Sequence, residues 1–205
     1  MSSSTPVVII DSGGANLASV VYAFDRLGIA TLVTHDAATI RTAERVLLPG
    51  VGNATAIMAR LNAHDLVPVI RSLTCPLLGI CLGMQLLFER SAEGNTTGLG
   101  VISGSIHALQ ARPELPAPHM GWNTLRRWRD DALLEGCGET DWFYFVHNYI
   151  APAHSAYTLA TTEYGEPFSS VVRHNNFWGV QFHPERSGQS GARLLQNFVS
   201  LPSCA

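Results

Sequence analysis

A cysteine flanked by glycines joins an apolar run to a stretch of good helix formers near the middle of the chain. Cys81 follows the run from Leu77 to Ile80, and Gly79 and Gly83 each lie two residues away from it. Because glycine has no Cβ, the chain can turn sharply there and other backbone can approach closely. The pattern G-x-C-x-G predicts a strand that ends at Cys81 and a helix from Leu82 to Glu89, the layout of a nucleophile elbow.

Two interpretations of this cysteine are open. At the start of a helix, unpaired N–H groups and the helix dipole favour a thiolate. The same N–H groups can stabilise an oxyanion that develops on a bound carbonyl. A buried structural cysteine fits the pattern equally well, since free cysteine is among the most buried residue types.

Short apolar runs alternate with helical patterns in the first half of the chain. We expect strands at 6–10, 30–34, 46–48 and 77–80, and helices at 17–27, 53–61 and 66–73. Strand, helix and strand at this spacing predict parallel βαβ units. Open sheets of this kind place their sites at the carboxyl ends of the strands, where Cys81 is expected.

Strands dominate the second half of the chain. We expect them at 105–109, 142–146, 158–162, 169–173 and 177–181, with a hairpin turn at Asn175-Asn176 and a closing helix at 191–201. No linker or internal repeat divides the sequence. The prediction is a single α/β domain over 1–205, with a mostly parallel central sheet flanked by helices and antiparallel strands added in the C-terminal half.

Composition excludes several classes of function. The chain of 205 residues is 46% hydrophobic and carries a net charge of −3, which gives no support for a nucleic-acid partner. No apolar run is long enough to cross a membrane, and no basic segment precedes a long apolar one at the N-terminus. The four cysteines show neither metal-ligand spacing nor a disulfide framework; they are Cys75, Cys81, Cys137 and Cys204. We therefore expect a cytoplasmic protein without a metal or cofactor.

A nucleophilic cysteine needs a base, and the base needs a group that orients it. Among eight histidines, His183 stands out because it follows the run Val180-Gln181-Phe182 and precedes Pro184-Glu185. Residues at i and i+2 of an extended segment point to the same side, so Glu185 is placed to hold the His183 ring. A loop histidine beside a solvated glutamate is the alternative that these three residues alone leave open.

Taken together, these motifs resemble the class I glutamine amidotransferases. Within that family the sequence is similar to the glutaminase subunits of imidazole glycerol phosphate synthase, over nearly the whole chain from Asp11 onward. The segments that carry the resemblance are 49–52, 79–85, 118–123, 144–149 and 181–188.

The resemblance implies roles in hydrolysing glutamine to glutamate and ammonia. Cys81 corresponds to the nucleophile, His183 to the general base and acid, and Glu185 to the residue that orients His183. The oxyanion donors would be backbone N–H groups of Leu82 and of Val51 or Gly52. The residues implied in binding glutamine are Gln85, Glu93, Asn148 and Tyr149.

The resemblance also implies a partner. The family's glutaminase forms a heterodimer with a (β/α)₈-barrel cyclase, which uses the ammonia in histidine biosynthesis to make imidazole glycerol phosphate and an aminoimidazole carboxamide ribotide. Asn16 and Arg186 match interface positions, although a helix cap and a surface arginine explain them equally well. Two other hypotheses are a glutaminase that serves a different synthase, and a binding protein of the same fold without activity.

Overall fold

The structure is a computed structural model that describes residues 5–13, 17–153 and 155–203. Its α-helices are α1 Leu17–Arg26, α2 Ala37–Arg41, α3 Ala54–Ala63, α4 Leu66–Arg71, α5 Leu82–Gln85 and α6 Gly188–Ser200. Its strands in the first half are β1 Val7–Ile10, β2 Thr31–Thr34, β3 Val46–Gly50, β4 Leu77–Cys81, β5 Phe88–Ser91, β6 Thr96–Thr97 and β7 Ile102–Ala108. Those in the second half are β8 His119–Thr124, β9 Arg126–Arg127, β10 Trp142–His147, β11 Tyr149–Pro152, β12 Thr158–Glu163, β13 Pro167–His174 and β14 Phe177–Val180. Short 3-10 helices cover Glu93–Asn95, Ala132–Leu134 and Pro184–Arg186.

The centre of the molecule is a run of parallel strands in the order β2-β1-β3-β4-β14. Both faces of this sheet are covered, which explains why β1, β3 and β4 are short, fully buried apolar runs. In β1, Val7 and Ile9 join the core layer that contains α1 and α6, whereas Val8 and Ile10 join the layer that contains α3 and α4. The predicted parallel βαβ arrangement is confirmed.

Antiparallel strands extend this sheet beyond β14. β13 pairs antiparallel with β14, and β11 and β12 both pair antiparallel with β13. The β13–β14 turn contains Asn175, whose φ of 54° suits asparagine better than most residues. The predicted α/β class, the antiparallel additions and the Asn-Asn hairpin are all confirmed.

A separate two-stranded sheet is formed by β8 and β10. Its buried side presents Phe143 and Phe145 to the core. Trp122 lies opposite Tyr144 and Met120 opposite Val146 in the antiparallel register. Met120, Trp122 and Trp142 are 61%, 52% and 55% exposed, so the outer side of this two-stranded sheet is apolar and open. We call Met120, Trp122, Trp142, Tyr144 and Val146 the β8–β10 face.

The predicted helix from Leu82 to Glu89 is wrong in length. Helix α5 ends at Gln85, and Phe88–Ser91 is strand β5. The carbonyls of Leu86 and Phe88 accept hydrogen bonds from the backbone of Leu99 and Gly100, and β5 pairs with β6 and β7. Helix propensity is outweighed here by pairing with the segment that follows, because that pairing buries Phe88 and satisfies its backbone.

Candidate active site

Cys81 occupies a strained turn between strand and helix. It ends β4 and directly precedes α5. Its backbone has φ 53° and ψ −111°, a conformation that residues other than glycine rarely adopt. The residue is 7% exposed, and its Sγ lies 3.7 Å from Nε2 of Gln181 and 3.8 Å from the carbonyl oxygen of Val146. Strain of this kind persists only where the surrounding packing holds the turn in place.

The glycines of the elbow are required for close packing. A Cβ on Gly83 would lie 1.9 Å from the carbonyl oxygen of Leu48, and one on Gly79 would lie 2.7 Å from the carbonyl oxygen of Gly83. A Cβ on Gly50 of β3 would meet the nitrogen of Gly83 at 2.4 Å. The missing side chains let the turn lie directly against β3, and the positive φ falls on Cys81 itself.

We expect Gly83→Ala to destabilise the protein and to reduce any activity that depends on Cys81. The added methyl group overlaps backbone that cannot move without displacing β3, and overpacking of this kind costs about 1–3 kcal/mol or more. For a chain of this size, the melting temperature should therefore fall by roughly 2–12 °C. Gly138→Ala is the matched control, because the nearest atom to its Cβ is 3.8 Å away. Equal melting temperatures for the two variants would contradict this account of the elbow.

A pocket of about 480 Å³ opens beside Cys81. It lies at the carboxyl ends of the neighbouring parallel strands β3, β4 and β14, as expected for a sheet of this type. The structure brings most of the predicted site residues together in its lining: Val51, Gly52, Cys81, Leu82, Gln85, Glu93, Asn148, Tyr149, His183 and Arg186. Val146 and His147 complete it.

His183 and Glu185 form a buried pair next to this pocket. Nδ1 of His183 lies 2.8 Å from Oε1 of Glu185, and the two side chains are 3% and 1% exposed. A carboxylate oxygen accepts, so Nδ1 carries the hydrogen of this bond. Nε2 of His183 is buried without a hydrogen-bond partner among the described residues, and it is the nitrogen left to serve a reacting group.

The surroundings of His183 favour its protonated form. Burial alone would lower its pKa, but contact with Cys81 and the hydrogen bond to Glu185, together with the charges of both groups, raise the pKa of His183 to about 10. At neutral pH the ring is therefore an imidazolium held between Cys81 and the Glu185 carboxylate. This is the electrostatic setting that a cysteine thiolate needs.

Gln85 is held by two acceptors in the wall of the pocket. Its Nε2 donates to the carbonyl oxygen of Tyr149 and to Oε1 of Gln181, each at 2.9 Å. Both amide hydrogens are thus used within the protein, which leaves Oε1 to meet a ligand. Gln181 is fully buried and also reaches Cys81, yet no role for it was predicted from the sequence. A glutamine inside an apolar run before His183 was the signal that could have identified it.

Glu93 combines a structural contact with a place in the pocket. Its Oε2 accepts a hydrogen bond at 3.0 Å from the backbone nitrogen of Ala54, the first residue of α3. This bond satisfies one of the unpaired donors at the start of the helix and fixes the carboxylate beside the pocket. Glu93 and Oε1 of Gln85 are both acceptors in the lining of the same pocket, and acceptors are what an ammonium group requires.

Val51 and Gly52 follow β3 and line the same pocket as Leu82. Gly52 has φ +104°, a conformation that favours glycine, and a Cβ there would meet nothing within 4 Å. The need for glycine at this position is therefore conformational. Asn148 is exposed in the segment that joins β10 to β11, so its backbone borders the pocket opening.

Of the two residues predicted to lie at an interface, the structure describes only Arg186. Arg186 is exposed in the lining of the pocket, and its guanidinium lies 5.0 Å from the ring centre of Tyr144. It thus joins the pocket opening to the β8–β10 face. Asn16 lies outside the described residues, as does Cys204.

Other kinds of site find no support in the described part of the chain. Within it, no group of three or more His, Cys, Asp or Glu side chains is arranged to hold a metal ion. The helices of the described ranges include none that is long and apolar enough to cross a membrane. The three described cysteines, Cys75, Cys81 and Cys137, are all buried and form no disulfide with one another.

Comparison with known families identifies the class of protein to which this fold and this site belong. The model of the family "Glutamine amidotransferase class-I" matches residues 8–201, and the chain belongs to this family. Two solved structures share the fold at low sequence identity. One is a putative GMP synthase component from Thermoplasma acidophilum, with a TM-score of 0.73 and 18% identity over 96% of this chain and 93% of that one. The other is a glutamine amidotransferase, with a TM-score of 0.74 and 20% identity over 95% and 98%.

Relatives at much higher identity narrow the comparison. The imidazole glycerol phosphate synthase subunit HisH of Mannheimia succiniciproducens is 50% identical over 193 residues, which are 94% of this chain and 98% of that protein. The proteins of the same name from Idiomarina loihiensis and Xanthomonas oryzae pv. oryzae are 50% and 49% identical, over 97% and 96% of this chain and 99% and 98% of their own lengths. The resemblance that the sequence motifs carried is thereby confirmed.

Proposed function

We propose that this protein is the glutaminase subunit of an imidazole glycerol phosphate synthase. It hydrolyses glutamine to glutamate and ammonia, and it passes the ammonia to a cyclase subunit in histidine biosynthesis. The observation that carries this proposal is Cys81, held in a strained elbow at one end of a pocket that also contains His183 paired with Glu185. The kind of synthase is inferred from the HisH relatives, which are subunits of imidazole glycerol phosphate synthase and about 50% identical to this chain.

The first half of the reaction breaks the amide bond of glutamine. The Cys81 thiolate attacks the carboxamide carbon, and the carbonyl oxygen becomes an oxyanion that accepts hydrogen bonds from the N–H of Leu82 and from Val51 or Gly52. The His183 imidazolium gives its proton to the departing nitrogen, so that ammonia leaves and a glutamyl thioester remains on Cys81. Glu185 stabilises the imidazolium at the 2.8 Å contact.

The second half hydrolyses the thioester. His183 is neutral after it has given its proton to the departing nitrogen, and it now takes a proton from water. The resulting nucleophile attacks the thioester carbon, and collapse of the second tetrahedral intermediate expels the Cys81 sulfur and releases glutamate. The same ring therefore acts first as an acid and then as a base, which Nε2 is free to do.

The lining of the pocket suits the α-amino acid end of glutamine. The α-ammonium group needs acceptors, and Oε1 of Gln85 and the carboxylate of Glu93 provide them. The α-carboxylate needs donors, and the backbone of the segment from Asn148 to Tyr149 borders the same pocket. With the amino acid held at that end, the carboxamide of the side chain extends toward Cys81.

The partner in this proposal is a (β/α)₈-barrel cyclase that docks on the β8–β10 face. An exposed group of aromatic side chains is unusual for a surface that stays in water, and this group continues into the pocket opening through Val146 and through Arg186 over Tyr144. A partner placed there would cover the opening through which ammonia leaves. The product of such a pair is imidazole glycerol phosphate, together with an aminoimidazole carboxamide ribotide.

We further propose that the chain is one domain and works in the cytoplasm. The family match from 8 to 201 supports a single domain, and a reducing compartment would keep a thiol nucleophile usable. The two alternatives, a glutaminase for another synthase and a binding protein without activity, make different predictions in the experiment that follows.

We expect the isolated protein to hydrolyse glutamine slowly and the cyclase with its nucleotide ligand to raise the rate at least tenfold. Glycines at 50 and 52 let a peptide between β3 and the pocket rest with a carbonyl where an oxyanion donor is needed. Partner contact would favour the orientation that presents the N–H group. The measurement is steady-state glutamate release by the isolated protein, with cyclase, and with cyclase and nucleotide.

Gly52→Val tests whether this segment carries the response. Valine disfavours the φ of +104°, so we expect the variant to lose most of the activation. Gly28→Val is the control, because Gly28 also has a positive φ of +71° with open space around its Cβ and does not line the pocket. Equal rates under all three conditions would refute the activation. Failure to bind the cyclase would favour another synthase, and no glutamate under any condition would favour the inactive binding protein.

A further inference from the structure

Two buried histidines form a hydrogen-bonded chain that the reaction described above does not use. Nδ1 of His119 in β8 lies 3.0 Å from Nε2 of His147 at the end of β10, and the side chains are 2% and 5% exposed. Nδ1 of His147 lies 2.9 Å from the carbonyl oxygen of Tyr149. At the other end, Nδ2 of Asn123 lies 3.4 Å from Nε2 of His119.

The hydrogen-bond partners of the two histidine rings determine which ring nitrogens carry a hydrogen. A carbonyl oxygen only accepts, so Nδ1 of His147 carries hydrogen and donates to Tyr149. If the ring is neutral, its Nε2 is then an acceptor, and Nδ1 of His119 donates to it. Nε2 of His119 is in turn left to accept from the amide of Asn123. Each ring nitrogen thus has one role, and both rings are fixed in orientation.

The surroundings keep both rings neutral. Burial lowers the pKa of His119 to about 4. Burial is the main cause that lowers the pKa of His147 to about 3, and the neighbouring His119 is the second. The direction of donation along the chain therefore persists throughout the physiological pH range.

The hydrogen-bonded chain of histidines ends at the carbonyl oxygen of Tyr149, which also accepts a hydrogen bond from Gln85. The carbonyl oxygen of Tyr149 accepts from Nδ1 of His147 and from Nε2 of Gln85, each at 2.9 Å. The bond from His147 to Tyr149 spans two residues, and it constrains the segment around Asn148 that borders the pocket. The orientation of Gln85 follows from this shared acceptor, because only a nitrogen can face the carbonyl.

We propose that His147, supported by His119, is a positioning residue for glutamine. It fixes the carbonyl of Tyr149, and thereby turns Oε1 of Gln85 and the backbone near Asn148 toward the α-amino acid end of the substrate. The inference rests on the proposed glutaminase function and adds residues that touch neither the reacting carbon nor the thiol. Its signature is an effect on KM for glutamine with little effect on kcat.

Two substitutions at 147 separate positioning from packing. His147→Gln places its amide near the position of Nε2 and loses the donor to Tyr149. His147→Asn places its amide near the position of Nδ1 and keeps that donor. We expect KM for glutamine in the complex with cyclase to rise roughly tenfold in His147→Gln, the effect of losing one hydrogen bond, and less than about threefold in His147→Asn. Ammonium-dependent synthesis should be unaffected in both variants, and thermal unfolding establishes that each is folded.

His174→Gln is the matched control. Nδ1 of His174 also donates to a carbonyl oxygen, that of Val101 at 2.6 Å, but neither residue lines the pocket. We expect its KM to equal that of the wild type. If His147→Gln does not fold, His119→Gln carries the test, because it removes the donor to Nε2 of His147 and should raise KM by a smaller factor.

The outcomes distinguish this inference from the function on which it rests. A rise in KM for His147→Gln that His147→Asn largely restores supports the positioning role. Equal rises in both variants, in proportion to lost thermal stability, would mean that the ring only packs and would overturn it. So would an unchanged KM in both variants of an active enzyme. A wild-type complex that fails to hydrolyse glutamine would instead contradict the proposed function, and this inference with it.

Discussion

Replacing Cys81 by alanine is expected to abolish glutamine hydrolysis while the complex with the cyclase still uses added ammonium salt. Cys81 is the only described side chain in the pocket with a sulfur that could form the thioester, and alanine removes that atom. The turn should survive, because alanine has the same Cβ as cysteine at φ 53°. The measurement is glutamate release and product formation with glutamine or ammonium as the nitrogen source.

Cys137→Ala is the control for this prediction. Cys137 is also a buried thiol, 8% exposed, but it does not line the pocket. Burial raises the pKa of Cys137, so this thiol is held in its protonated, unreactive form. We expect the control variant to retain glutaminase activity. Glutamine turnover that persists in purified Cys81→Ala would remove Cys81 from its proposed role.

The second large effect is expected at His183. Removing a general acid–base residue costs on the order of 10²–10⁴ in rate, so His183→Ala should reduce glutamine-dependent kcat/KM by about that factor. Glu185→Gln should cost less, because glutamine can still hydrogen-bond the ring while stabilising its positive charge more weakly. A greater loss in Glu185→Gln than in His183→Ala would overturn the assigned roles.

The pH profile of Glu185→Gln gives an independent readout. The pKa of His183 is raised by its interactions with Cys81 and Glu185, and neutralising Glu185 removes one of these causes. The pKa of His183 should therefore fall in the variant, and the ring should lose its proton at a lower pH. Because the imidazolium is needed with the thiolate, the alkaline decline of kcat/KM should move to lower pH than in the wild type. An unchanged alkaline limb would contradict the electrostatic role of Glu185.

The parallel half of the fold could be predicted because its signals are local. Strands such as Val7–Ile10 are buried on both faces and therefore consist of consecutive apolar residues. Helix α3 begins after Asn53, whose side chain accepts from the backbone nitrogens of Thr55 and Ala56, a capping pattern that is visible in the sequence. Strands β5, β8 and β11 were missed because their own residues carry no clear alternation, so that only their pairing in the fold identifies them as strands.

In the candidate site, the sequence by itself identified the residues that belong to short motifs with a recognisable chemistry. Gly79 and Gly83 marked the elbow, and their role in close backbone contact follows from having no side chain. His183 and Glu185 were paired from their spacing alone, and the 2.8 Å contact agrees with that pairing. Their roles in catalysis stay predictions until the variants are measured.

Only the tertiary structure decided what surrounds those residues. Gln181 and His147 acquire candidate roles through hydrogen bonds to partners that lie far apart in the chain or on another strand, such as the bond from Gln85 to Gln181. Whether a buried polar side chain is structural or functional depends on what it faces, and the spacing of residues in the sequence does not carry that information. The strain at Cys81 is likewise a tertiary property, because the packing of β3 against the elbow holds a turn that the isolated segment would not keep.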